Sequence, residues 1–287
     1  MNKLKENIKY YFFSPFLQEK WEKILVLKNV ARYKSLLAKN VELRKKHEGE
    51  TCYLLGSGNS IRNHDISMLQ NENLFFLNNF YVHKDFDLLS EGGGGKYYVT
   101  APIHKPQTED EWRKWVANIE GGTSSRMHYI LGLSGADCNL KYLTDKYTLL
   151  NGRLINWYYA GPNQVGRNDI SIDIEKPIVA AETVSIYALI LALYMGFDKI
   201  YLLGMDHDYI LYEDEKDMRM YSSAVHQKNE LKRTFGENFY VEEYFRQYNI
   251  FSKYSILNDQ FENTIFNASE SGLLKVFPRV SLQSTLE

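Results

Sequence analysis

Cysteine is nearly absent from this chain of 287 residues, with only Cys52 and Cys138. Both lie in apolar, strand-like contexts without the paired spacing of a metal site or a disulfide framework, so buried free thiols are expected. Long apolar runs are missing too. None reaches the roughly 18 residues that cross a bilayer, and no leader of charged, apolar and small residues is legible at the start, which points to a cytoplasmic protein. There is no internal repeat, and neither of the two common phosphate-loop signatures is complete: Gly56-Ser57-Gly58 lacks a third glycine, and no Gly-Lys-Ser follows it.

What is present is a chain with a polarised charge. Lys and Arg outnumber Glu by 12 to 4 in residues 1–47, although the whole chain carries −2. In residues 1–48 the lysines alternate with Tyr10, Tyr11, Phe12, Phe13, Phe16 and Trp21, and the pattern after Pro15 suggests two or three short helices. Such an arm can pack on the body or on a second subunit, or lie on an anionic membrane surface. The acidic remainder argues against nucleic acid as a partner. With 44% hydrophobic and 14% aromatic residues, residues 49–287 can form one large domain, alone or as a homo-oligomer.

From Thr51 onward strand and helix signals alternate. Strands are expected at Thr51–Leu55, Leu74–Leu77, Tyr97–Thr100, His128–Leu131, Leu154–Tyr158, Lys199–Leu203 and Thr264–Asn267. Helical patterns cover Glu109–Ile119, Thr183–Met195 and Val241–Tyr254. The alternation implies an α/β fold with a doubly wound, mostly parallel sheet. The helix from Thr183 is apolar around nearly its whole circumference and stops at Gly196, so it is expected to be buried. The long polar stretch at about 205–237 reads as a lid.

Ligands of such sheets bind beyond the carboxyl ends of the strands, and three chemistry-bearing blocks fall there. Gly56, Ser57, Gly58, Asn59 and Ser60 follow the first strand, where glycines admit a phosphate close to the backbone and free N–H groups face it. Asn78 and Asn79 follow the second and offer amides that can read a base or a ribose. Asp206, His207, Asp208 and Tyr209 follow the sixth.

The blocks resemble those of the bacterial sialyltransferases that use CMP-sialic acid, and of the superfamily that includes motility-accessory nonulosonate transferases and archaeal hydroxymethylpterin diphosphokinase. The similarity is carried by Gly56 to Ser60, by Asn78-Asn79-Phe80-Tyr81, by Thr183-Val184-Ser185 leading through Gly196 and Ile200-Tyr201-Leu202 to Gly204-Met205-Asp206, and by Phe266 to Val280. It departs where Val184 and Thr100-Ala101-Pro102 replace family residues.

The resemblance implies a Rossmann-like, GT-A-variant nucleotide-binding domain. The glycine loop, Asn78, Thr100, Thr183 and Ser185 would hold a CMP-activated sugar, with no cofactor required. Tyr209 and Tyr212 would serve the leaving phosphate and His207 or His226 would act as base, with Arg219, Lys228 and Arg233 as candidates to meet a sugar carboxylate. The acceptor would be a surface glycan or a lipid-linked sugar, met at the inner membrane face through peripheral contact.

A second reading takes Asp206 and Asp208 as a clamp for Mg²⁺ or Mn²⁺ in a UDP- or GDP-sugar transferase or a diphosphokinase. In the metal-free alternative, one of these aspartates instead caps or braces a loop. A third makes the chain a non-catalytic nucleotide-sugar-binding protein.

Overall fold

A computed structural model describes residues 26, 28–105, 107–161, 169–211, 219–221 and 239–286. Seven parallel strands form one sheet in the order β5-β4-β3-β2-β1-β6-β7. They are β1 (Thr51–Leu55), β2 (Asn73–Leu77), β3 (Lys96–Thr100), β4 (His128–Leu133), β5 (Leu154–Tyr159), β6 (Lys199–Leu203) and β7 (Ile265–Asn267). Between and around them run α1 (Lys34–Ala38), α2 (Phe86–Glu91), α3 (Glu109–Gly122), α4 (Leu140–Tyr147), α5 (Val184–Tyr194) and α6 (Phe239–Gln260). Every strand expected from the alternation is present, and the fold is a Rossmann-like, doubly wound α/β sheet.

Period-2 alternation sends neighbouring side chains to opposite faces, which explains the two separate cores. Cys52, Leu54, Phe75, Leu77, Ile200 and Leu202 pack with α5 and with Ile250, Tyr254 and Leu257 of α6. Tyr53, Leu55, Leu74, Phe76, Tyr98 and Tyr129 pack with Phe86, Val116, Ile119 and Leu143 on the other face. Both faces are covered, so the strands read as apolar runs. Of the two free thiols, Cys52 is buried, whereas Cys138 is only half-buried, short of the expectation for it.

The helix ends follow their local chemistry. Thr108 and Glu111 form a reciprocal capping box that starts α3. All residues of α5 are buried, and Gly196 ends it with φ of 83°. There the Phe197 N–H reaches the Ala192 carbonyl and the Gly196 N–H that of Leu193. No helix among the described residues is long and apolar enough to cross a membrane.

The strand order contains one reversal. The chain runs from β1 outward to β5, then α5 carries it back so that β6 pairs with β1 on its other side. The reversal falls between β1 and β6, and in sheets of this kind the ligand crevice lies beyond the carboxyl ends of the strands at such a point. Residues 1–25, and with them most of the basic aromatic arm, lie outside the described residues, as do 212–218 and 222–237 of the expected lid.

Candidate functional site

A cavity of about 660 Å³ occupies that crevice, within the size range of small-molecule and cofactor sites. The carboxyl ends of six strands contribute to it: Gly56, Ser57 and Gly58 after β1, Asn78 after β2, Ala101 to Lys105 after β3, Ser134 after β4, Gly161 after β5, and Gly204 to His207 after β6. Thr183, Val184 and Ser185 bring the amino end of α5 to the same space, while Arg246 and Ile250 come from α6. Residues near 56, 78 and 206, far apart in the chain, thus share one pocket.

The glycine loop is built for contact between chains. Gly56 N–H donates to the Leu203 carbonyl and Gly58 N–H to that of Gly204, both at 2.8 Å. A Cβ on Gly56 would stand 2.5 Å from the Gly204 oxygen, and one on Gly58 2.5 Å from Asp206 Oδ2. The two glycines therefore let the β1 and β6 loops touch, and their N–H groups are not free to cradle a phosphate as expected from the sequence.

The short 3₁₀ turn Asn59–Asn63 is likewise already served by an anion. The buried Asp206 carboxylate accepts from Ser60 N–H at 2.8 Å and from the Ser60 hydroxyl. Burial raises its pKa, and the Ser60 and Asn59 donors pull it back down. Asp206 thus braces the β1 loop. From the other side the Leu273 N–H donates to the Asp206 carbonyl at 2.7 Å, and Gly272, at φ of 91°, approaches so closely that a Cβ would lie 2.7 Å from Asp206 Cα. Ser60, Asn59 and Thr100 do not line the cavity. Thr100 is buried, with its hydroxyl unbonded.

Asn78 does reach the cavity. It and His207 sit in the left-handed region, with φ of 50° and 51°, a conformation that Asn and His tolerate better than most residues and that concentrates at functional sites. The neighbouring Asn79 has a structural task, donating to Tyr221 OH and accepting from Trp115 Nε1.

His207 is buried and donates or accepts at Nε2 with Tyr254 OH, 2.8 Å away. Its rings pack edge-on with Phe251 and Tyr254. Burial, reinforced by the positive charges of Arg246 and Arg219, pushes its pKa down to about 3, so the imidazole is neutral at ordinary pH. Asp208 is also buried but does not line the cavity. Tyr212, His226, Lys228 and Arg233 lie outside the described residues.

The charged lining consists of three cationic side chains and two carboxylates, Asp206 and Glu182. Arg219 donates to Ser57 Oγ at 3.0 Å, and Arg219 and Arg246 lie 5.1 and 5.9 Å from the Tyr209 ring centre. Lys105 adds a third positive charge. Glu182, which also borders the cavity, is engaged by the buried Lys253 at 2.8 and 3.0 Å. At the amino end of α5 the Thr183 hydroxyl makes no capping bond, so the first-turn N–H groups and the helix dipole add to the positive field.

Among the described residues no group of three His, Cys, Asp or Glu side chains is placed to hold a metal ion. Sequence reasoning missed Arg246, Tyr254 and Glu182. Arg246 and Tyr254 sit inside the stretch Val241–Tyr254, which reads in the sequence only as a helical pattern. Compared with the models of known protein families, with curated proteins and with solved structures, this chain matches none.

Proposed function

We propose that this protein is a glycosyltransferase that moves a sugar, of the acidic nonulosonate kind, from a CMP-activated donor to a glycan or lipid-linked acceptor. The observation that carries the reading is the convergence, at the strand-order reversal, of the three blocks that resemble the CMP-sialic acid enzymes. The crevice is large enough for a nucleotide-sugar, and its cationic side chains suit an anionic one.

Anion recognition in this reading falls to Arg219, Arg246 and the amino end of α5, since the glycine-loop N–H groups are engaged. Guanidinium groups can stabilise a departing phosphate without a metal. The bond from the anomeric carbon to the CMP oxygen breaks, the acceptor oxygen bonds to that carbon, and His207 takes the acceptor's proton. A neutral imidazole is the form required, and an anion between the two arginines offsets their repulsion and raises the basicity of His207. The clamp reading of Asp206 and Asp208 is weakened because the Asp206 oxygens are engaged by Ser60. Peripheral contact with the inner membrane face, through the basic aromatic arm, belongs to the same proposal.

Thermal-shift titration with CMP, UDP and GDP, with and without Mn²⁺, tests the donor, and release of CMP from CMP-sialic acid tests the chemistry. Stabilisation by CMP in EDTA, together with turnover that His207→Ala abolishes, is expected. Stabilisation by UDP or GDP only in Mn²⁺ would replace the proposal by the metal-dependent reading, and donor binding without turnover by the non-catalytic one.

A further inference from the structure

Four side chains are joined end to end along one side of the cavity. Thr183 Oγ1 lies 2.8 Å from Ser185 Oγ, Ser185 Oγ 2.5 Å from Tyr254 OH, and Tyr254 OH 2.8 Å from His207 Nε2. Thr183, Ser185 and His207 line the cavity, whereas Tyr254 stands behind them in α6. Tyr254 is fully buried and held edge-on against His207, Phe251 and Phe277.

Each hydroxyl carries one hydrogen and can also accept, while a neutral imidazole donates at one nitrogen and accepts at the other. Ser185 and Tyr254 are buried, so their hydroxyl hydrogens stay within the chain and two arrangements remain. In one, Thr183 donates to Ser185, Ser185 to Tyr254 and Tyr254 to Nε2, so that the imidazole proton sits on Nδ1. In the other, Nε2–H donates to Tyr254, Tyr254 to Ser185 and Ser185 to Thr183. The Thr183 hydrogen then points away from the chain and Nδ1 carries a lone pair. Passing between them moves one proton from Nδ1 to Nε2 through water and rotates three hydroxyls, with no change of charge.

We propose that Tyr254 and Ser185 are positioning residues that couple an acceptor group bound at Thr183 to the tautomer of His207. A phosphate or carboxylate oxygen of the donor that accepts from Thr183 selects the second arrangement, and Nδ1 becomes the nitrogen that takes the acceptor's proton. The base is thereby set only when the donor is in place. The coupling rests on the nucleotide-sugar reading for its substrate, but the tautomer change itself requires only an anion in the cavity.

The test is the tautomer of His207, read from its ¹⁵N side-chain signals in the full chain, with CMP and with inorganic phosphate as probes. In the wild type, saturating probe should convert His207 to the Nε2–H form. Tyr254→Phe removes only the hydroxyl. It should bind CMP with a Kd within about two-fold of wild type, show no probe-dependent change, and lower kcat by about ten-fold or more at unchanged KM.

Should Tyr254→Phe not fold, Ser185→Ala interrupts the same chain. A wild-type tautomer indifferent to both probes, absence of binding by either, or a Tyr254→Phe protein that responds as the wild type does would each overturn the coupling. A probe-dependent tautomer in a protein that transfers no sugar would retain the coupling and end the glycosyltransferase proposal.

Discussion

Lowering the pH should destabilise this protein well before its carboxylates protonate, and His207 should account for much of the effect. A free histidine titrates near 6.5, whereas His207 is pushed to about 3 when folded. Between those values the unfolded chain binds a proton that the folded chain refuses. The stability contributed by the neutral imidazole is therefore intact above about pH 6.5 and is lost as the pH falls toward 3. From pH 7 to pH 5 the loss works out at about 2 kcal/mol, with a slope near pH 5 of about 1.3 kcal/mol per pH unit.

His83 and His128, whose pKa values burial also lowers, act in the same direction, while the raised Asp206 acts in the opposite one nearer pH 4. The comparison must therefore be differential. His207→Asn suits it, because Asn tolerates the left-handed backbone that this position adopts. Urea denaturation of both proteins at several pH values between 5 and 7 should give a shallower dependence for the variant, by about one proton per molecule at the acid end. Parallel curves would mean that folded His207 accepts a proton as readily as the unfolded chain, and the account of a neutral imidazole between Tyr254 and two arginines would fail.

Gly58→Ala places a methyl group 2.5 Å from Asp206 Oδ2 and 2.7 Å from the Gly204 oxygen; it should cost about 1–3 kcal/mol, visible as a lower urea midpoint. Lys253→Met leaves Glu182 without its partner beside the cavity. A loss of about 2 kcal/mol is expected, together with weaker CMP binding in a titration, because an uncompensated carboxylate then faces an anionic ligand. Thr108→Ala removes the cap of α3; the Thr108 side chain does not line the crevice, so the change should lower stability by about 1 kcal/mol without altering CMP affinity.

The seven strands were legible because a doubly covered parallel sheet demands apolar residues on both faces of each strand, and Cys52-Tyr53-Leu54-Leu55 and Ile200-Tyr201-Leu202-Leu203 satisfy that demand without interruption. The buried α5 was legible for the same reason, its apolar circumference leaving it no solvent face. What the sequence could not separate were residues that share a motif but face different ways. Asn78 and Asn79 are adjacent and chemically identical, yet one opens on the cavity while the other ties Trp115 to Tyr221. Ser57 borders the crevice, whereas Ser60 is turned onto Asp206. Tyr254 carried no polar signature at all, because its apolar ring fits the helix pattern whether or not its hydroxyl is used.

The glycine loop carries the broader point. Glycine after a first strand is read as a phosphate cradle because the missing Cβ admits an anion, but the same absence admits another stretch of backbone. Here the Gly204 carbonyl and the Asp206 carboxylate occupy that space, and the carboxylate binds the N–H groups that a phosphate would have bound. Recognition of an anion must then move to other groups of the same crevice: the guanidinium groups near Tyr209, of which Arg219 also donates to Ser57 and Arg246 is paired with Glu243, and the uncapped first turn of α5. Asp206 is thus doubly restrictive. Its negative charge holds the β1 loop in the form that shapes the cavity, and it makes the loop itself a poor place for a second negative charge.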